Sequence, residues 1–333
     1  MAPHQHANDS SDSALLDAYL RHISSEKRLA TRTQTLYQHD LARLAQLAQT
    51  AGIAAAQAEN FQLRSWLAQL HAQGHSPRTL ALTLSVWRGW YAWLGRDGHI
   101  ASNPCTGLRP PKGAQTLPKA LAVDDAITLA DFACRQAAAA CGKEAVIAWR
   151  DAAIIELLYS SGLRVAELVG LDTQASSQGE KAGHGWVDAQ AAEVHVHGKG
   201  SKRRSSPVGS KALYALGRYL ALRHELLSQL QPEPQIHGAQ LALFLGARGQ
   251  RINAGVIWQM LKKISLQSGL PLRVHAHVLR HSFASHVLQS SGDLRAVQEL
   301  LGHANIRTTQ IYTKLDFQHL AQAYDAAHPR AKK

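Results

Sequence analysis

Cysteine is scarce and scattered in this chain: Cys105, Cys134 and Cys141 are three among 333 residues, and none sits in a CxxC spacing. An odd, dispersed set points away from a disulfide framework or a zinc knuckle and fits a reducing compartment. Long apolar runs are missing too. No stretch of about 18 uncharged apolar residues occurs, so no membrane span is expected. The opening MAPHQHANDSSDS is polar without an apolar centre, so no secretory leader is expected and the expected location is cytoplasmic. Acidic residues form the third shortage, with 24 Asp and Glu against 36 Lys and Arg and a formal charge of +12. That imbalance favours a polyanionic partner such as nucleic acid. Part of it is concentrated: Lys199, Lys202, Arg203, Arg204, Lys211, Arg218 and Arg223 lie between Gly198 and Arg223 with no acidic residue among them. Such a segment suits phosphates. No internal repeat is visible.

What is present reads as a globular protein of two domains, with 45% apolar and 18% charged residues over a length that exceeds one ordinary core. Residues 1–12 are polar and expected to be unstructured. From 13 to 97 four helical patterns follow one another. Leu15, Leu16, Tyr19, Leu20 and Ile23 carry the first. Leu36, Tyr37, Leu41, Leu44 and Leu47 carry the second, with Thr33 as its expected cap. Phe61, Trp66, Leu67 and Leu70 make the third. Ser76-Pro77 opens the fourth as an N-cap and first-turn proline, ahead of Leu80, Leu84, Trp87, Tyr91 and Leu94. Residues 98–118 lose this periodicity and gather prolines and glycines, which predicts a linker. Residues 119–333 are expected to be helix-rich with one small antiparallel sheet: the alternation Glu193 to His197, the turn Gly198-Lys199-Gly200 and a return from Ser205 to Val208 predict a hairpin. The fold class is therefore mainly α with a small sheet.

The sharpest constellation lies in the last third: His277-Val-Leu-Arg280, then Leu301-Gly302-His303, then Tyr312. Upstream, SGLRVAEL supplies Arg164 and the hairpin turn supplies Lys199. A DNA phosphodiester is anionic, and attack on it adds charge to its non-bridging oxygens. Permanently charged, forked guanidiniums at Arg164 and Arg280 suit that charge, with His277 and His303 adding hydrogen bonds. Tyr312 is a plausible nucleophile because a phenol, with a pKa of about 10, loses its proton far more readily than an aliphatic alcohol. His277 is the expected proton acceptor, and Lys199 the expected acid for the departing 5′ oxygen. No metal and no cofactor is needed for this chemistry. His277 and Arg280, at i and i+3, share one side of a helix whose other side offers Leu279 and Phe283 to a core. Other readings of the same residues stay open: Arg164 with Glu167 as a helix salt bridge, the run from Lys199 to Arg204 as a solvated hairpin, and His275, His277 and His281 as metal ligands, although no HExxH glutamate accompanies them.

Arg, Lys, His-x-x-Arg, His and Tyr in this order resemble the catalytic set of the tyrosine site-specific recombinases, the phage integrase family. SGLRVAELVGLD resembles the first arginine motif, HGKGSKRR the lysine hairpin, and HVLRHSFASHVLQSSGDLRAVQELLGHANIRTTQIYT the second motif through the nucleophile. The linker and the ending LDFQHLAQAYDAAHPRAKK are similar to the Xer branch. The resemblance implies that Arg164, Lys199, His277, Arg280 and His303 are catalytic and that Tyr312 becomes a 3′-phosphotyrosyl enzyme. It further implies a clamp on duplex DNA, a dif-like site, a XerD-like partner in a heterotetramer, an FtsK-like DNA translocase as controller, and the resolution of chromosome dimers at cell division. Arg78, Arg88 and Arg96 around the fourth helix, with Lys202, Arg203 and Arg204 in the hairpin, are candidate DNA contacts. Two departures stand out: an apparent insertion at Gln174 to Gly185, and Ala276 where relatives usually carry proline. A type IB topoisomerase would use the same chemistry, and an architectural DNA-binding protein would use the basic surface alone.

Overall fold

The computed structural model describes residues 4–112, 120–198, 203–228, 241–291, 293–301 and 329–330. The chain forms two compact units, residues 1–116 and 117–333. Among the described residues no helix is long and apolar enough to cross a membrane.

The first unit is helical: α1 (His4–Ser25), α2 (Thr31–Thr50), a 3-10 turn at Ala55–Gln57, α3 (Asn60–Ala72) and α4 (Pro77–Arg96). The expected cap of α4 is present, since the Ser76 hydroxyl accepts from the Thr79 amide at 3.1 Å with Pro77 in the first turn. Thr33 does not cap α2; the helix begins two residues earlier, with Ala30 at the N-cap. Helix α1 starts inside the stretch expected to be unstructured. It is tied down by Asp12, a buried carboxylate that accepts from the backbone amides of Ala55 and, at 3.3 Å, Ala56. The core is aromatic. Tyr19, Trp87, Trp90 and Tyr91 are fully buried with Ile23, Leu44 and Leu80, whereas Phe61 points outward at 64% exposure. The one buried carboxylate of α2, Asp40, binds Arg43 at 2.9 Å and the Thr83 hydroxyl at 3.1 Å, so its charge is paired. The linker departs from expectation at its start. Cys105 and Leu108 are buried in this same core, and the Asn60 amide holds the carbonyls of Pro104 and Thr106 at 2.8 and 3.0 Å.

The second unit is built around α6 (Gly142–Ser161), which is buried on nearly all sides by α5 (Val123–Ala139), α9 (Ser210–Ser228) and α11 (Ala276–Ser291). An all-round apolar helix of this kind belongs at the centre of a larger core. The remaining elements are α7 (Val165–Val169), α8 (Ser177–Lys181), α10 (Ala254–Gln267), α12 (Leu294–Leu301), and strands β1 (Leu171–Asp172), β2 (Gly185–Asp188), β3 (Glu193–His197) and β4 (Arg203–Pro207). The strands pair in sequence order, with His197 opposite Arg203 across the predicted hairpin. The sheet is mixed rather than antiparallel throughout, because β1 runs parallel to β2. The apparent insertion is a built element: α8 is capped by Ser176, and His184 reaches back to the buried Asp172 at 3.1 Å, which also binds Arg251. Gly185 is required there because a Cβ would run into the backbone of His195 on the neighbouring strand.

Candidate active site

Three segments far apart in sequence meet at one carboxylate. Helix α6 ends at Gly162, whose left-handed backbone (φ 59°) turns the chain so that Leu163 is buried and Arg164 becomes the N-cap of α7. Glu167, three residues on, accepts from the Arg164 backbone amide and guanidinium, both at 2.7 Å. From β4, Arg204 donates to the same carboxylate at 2.7 Å. From α11, Arg280 places its guanidinium 4.0 Å from it. The salt bridge readable in the sequence, Arg164 with Glu167, is thus one edge of a cluster of three arginines around one acid.

Arg280 is held mainly by peptide carbonyls. It donates to Gly162 and, at 2.6 Å, to Leu301, while Arg204 donates to Leu300 at 2.7 Å. Two arginines therefore cap the last carbonyls of α12, which would otherwise be orphaned. Burial pushes the Arg280 guanidinium down to about 10, with Arg164 and Arg204 adding to the fall and Glu167 opposing it, so it stays cationic at neutral pH. Among the described residues the three guanidiniums gather at one carboxylate, and Arg164 keeps its side chain 37% exposed.

His277 lies one turn before Arg280 on α11, exposed, its ring nearly parallel to that of His275, while Leu279 and Phe283 face the core. Arg280, expected on the same side as His277, is instead buried at 5% exposure. Among the described residues no three His, Cys, Asp or Glu side chains gather as a metal site. Lys199, Lys202, His303 and Tyr312 lie outside the described residues; α12 ends one residue before Gly302-His303.

The candidate DNA contacts fare differently from one another. Arg78 is exposed at the start of α4. Arg88 is exposed but donates to the Leu108 carbonyl at 3.0 Å, and Arg96 pairs with Asp97 at 3.3 Å. Arg203 is exposed and paired with Glu180. Arg204 is not available to DNA: its side chain is 5% exposed and committed to Glu167 and Leu300. Sequence reasoning gave it the role of its neighbour because the alternation of β4 does not itself say which of two adjacent arginines turns inward. It also missed Glu167 as a shared anchor, for which the only local signal was its spacing from Arg164.

The model of the phage integrase family matches residues 127–319, and that of the phage integrase N-terminal SAM-like domain matches residues 16–98. The chain is 49% identical over 321 residues to tyrosine recombinase XerC 1 of Ralstonia nicotianae, covering 96% of this chain and 94% of the relative. It is 45% identical over 319 residues to tyrosine recombinase XerC of Pseudomonas aeruginosa, covering 96% and 95%. Among solved structures, the Tn1549 transposon integrase in complex with circular intermediate DNA aligns with a TM-score of 0.64 at 17% identity, covering 92% of this chain and 98% of that one. The XerH site-specific recombinase bound to palindromic difH substrate aligns with a TM-score of 0.62 at 19% identity, covering 93% and 83%.

Proposed function

The chain belongs to the phage integrase family as a site-specific tyrosine recombinase, and from that premise we propose that it is a XerC-type enzyme working through a 3′-phosphotyrosyl intermediate on Tyr312. Its N-terminal domain, residues 13–97, embraces duplex DNA, and residues 119–333 carry the chemistry. The observation that supports this most is the gathering of Arg164 and Arg280 at one carboxylate. A scissile phosphate completes such a site. Its non-bridging oxygens take the two guanidiniums, and the charge that grows on them in the five-coordinate transition state is met by groups already in place.

In the reaction, the Tyr312 hydroxyl gives its proton to His277 as the Tyr312 oxygen bonds to phosphorus. The bond from phosphorus to the 5′ oxygen breaks, and Lys199 protonates that oxygen. His303 adds a hydrogen bond to the phosphate. A 5′ hydroxyl from a partner strand then reverses the steps, so the energy of the phosphodiester is kept and no cofactor is consumed. We place the enzyme in the cytoplasm with a XerD-like partner, two protomers of each on a dif-like site, under an FtsK-like translocase, resolving chromosome dimers at division.

The test is a supercoiled plasmid carrying two directly repeated dif-like sites, incubated with this protein and the partner in EDTA. Resolution into two circles is expected. Stepwise relaxation without exchange would overturn the recombinase reading in favour of a topoisomerase.

A further inference from the structure

We propose that Arg204 is a positioning residue for the phosphate-binding arginines, and that it works by keeping the Glu167 carboxylate away from Arg280. This rests on the reading of Arg164 and Arg280 as the groups that meet the scissile phosphate.

Arg204 holds two acceptors at once, with one guanidinium nitrogen on Glu167 Oε2 and another on the Leu300 carbonyl, each at 2.7 Å. Glu167 Oε2 is also the carboxylate atom that faces Arg280, at 4.0 Å. That separation is too long for a hydrogen bond. Oε2 also accepts from the Arg164 backbone amide at 2.7 Å, so Arg204 and that amide together hold the atom away from Arg280. Oε1 is likewise occupied, by Arg164 at 2.7 Å. Arg280 is thereby left to neutral partners, the carbonyls of Gly162 and Leu301, which fix its orientation without cancelling its charge. A buried guanidinium in close contact with a carboxylate would have little attraction left for a phosphate, whereas one gripped by carbonyls keeps it.

The second contact fixes the first. The Leu300 carbonyl is at the end of α12, next to the Leu301 carbonyl that holds Arg280. Arg204 thus ties strand β4, the acid of α7 and the end of α12 into one arrangement. Register explains why this arginine does so: Arg204 stands opposite the buried Val196 on the inward face of β3 and β4, whereas Arg203 stands opposite His197 and is exposed. Lysine could keep the charge but could not fork onto both acceptors.

The experiment uses the full-length protein and nicked suicide duplexes whose scissile linkage is either a phosphodiester or a methylphosphonate, which is neutral and has no charge for the arginines to balance. Arg204→Lys is compared with wild type, with Arg280→Ala as control, and DNA binding and melting temperature are measured alongside. On the phosphodiester, Arg204→Lys is expected to bind DNA normally and to form the covalent adduct about 100-fold more slowly, and on the methylphosphonate its deficit is expected to shrink to about 5-fold, in parallel with Arg280→Ala. If Arg280→Ala recovers but Arg204→Lys is equally impaired on both linkages, Arg204 is merely structural and the proposal is overturned. Wild-type cleavage by Arg204→Lys would overturn it also. If Arg280→Ala itself fails to recover, the underlying reading of the arginine pair fails, and the proposal with it. Should Arg204→Lys melt early, Arg204→Gln is assayed on both linkages at a temperature where it stays folded. A deficit that shrinks on the methylphosphonate supports the proposal, and an equal deficit on both linkages overturns it.

Discussion

Arg280, in the second turn of α11, donates a 2.6 Å hydrogen bond to the carbonyl of Leu301, the last residue of α12. The side chain expected to clamp a phosphate is thus aimed by the peptide that leads into Gly302-His303. Arg280→Ala is expected to lower the rate of covalent adduct formation by about 100- to 1000-fold while duplex affinity changes little, as for removal of a preorganised transition-state donor. Gel-shift and single-turnover cleavage assays on the same preparation separate the two effects. A parallel loss of binding and cleavage would contradict this account.

Gly162 links backbone conformation to the same guanidinium. Its φ of 59° is in the left-handed region, and an added Cβ would run into the Phe283 ring. Gly162→Ala is therefore expected to cost about 1–3 kcal/mol of stability. Because the Gly162 carbonyl holds Arg280, cleavage should fall as well, even at temperatures where the variant remains folded. Chemical denaturation and adduct formation at low temperature check the two parts.

Glu167 carries the mutual repulsion of three arginines, with its own side chain only 5% exposed. Glu167→Gln keeps the shape and removes the charge. The expected loss is about 3–5 kcal/mol, the usual cost of leaving a buried charge unpaired. Denaturation by urea measures it. A loss below about 1 kcal/mol would show that the cluster does not depend on that charge.

Glu156, buried in α6, makes a pH-dependent contribution. Burial pushes its carboxyl from 4.5 up to about 7; Arg330, 3.2 Å away, opposes the rise, Asp131 adds to it and Lys211 opposes it. Between those two values the folded protein retains a proton that the unfolded chain has released, so the stability contributed by this group falls as pH rises through that window and levels off above it. Glu156→Gln cannot ionise, so its stability relative to wild type is expected to improve between about pH 5 and about pH 8. A difference that stays flat over that range would contradict the shift.

Much of the fold was legible where the signal is local. Ser76-Pro77 announces α4 because the cap and the first-turn proline act within three residues, and the alternation at Glu193–His197 marks β3 because period two needs only a few positions. Strand β1 is two residues long and β2 four, too short to display a period, and the pairing of β1 with β2 depends on the intervening α8 segment. The ordered start of α1 was hidden for a related reason, since Asp12 finds its partners at Ala55 and Ala56, more than 40 positions away. In the candidate site, Arg164, His277 and Arg280 were picked out because the proposed chemistry calls for those residue types. Glu167 and Arg204 were not. Their roles arise from contacts that cross 37 positions and more, and no periodicity in either segment encodes such a meeting.

The most direct test of the account is covalent trapping on a nicked suicide duplex bearing a dif-like site, in EDTA, with and without the XerD-like partner. Wild type is expected to give a denaturation-resistant protein–DNA adduct joined through a 3′ phosphate, and Tyr312→Phe to give none while still binding the duplex. An adduct that persists in Tyr312→Phe, or one that forms only when a divalent metal is restored, would contradict it.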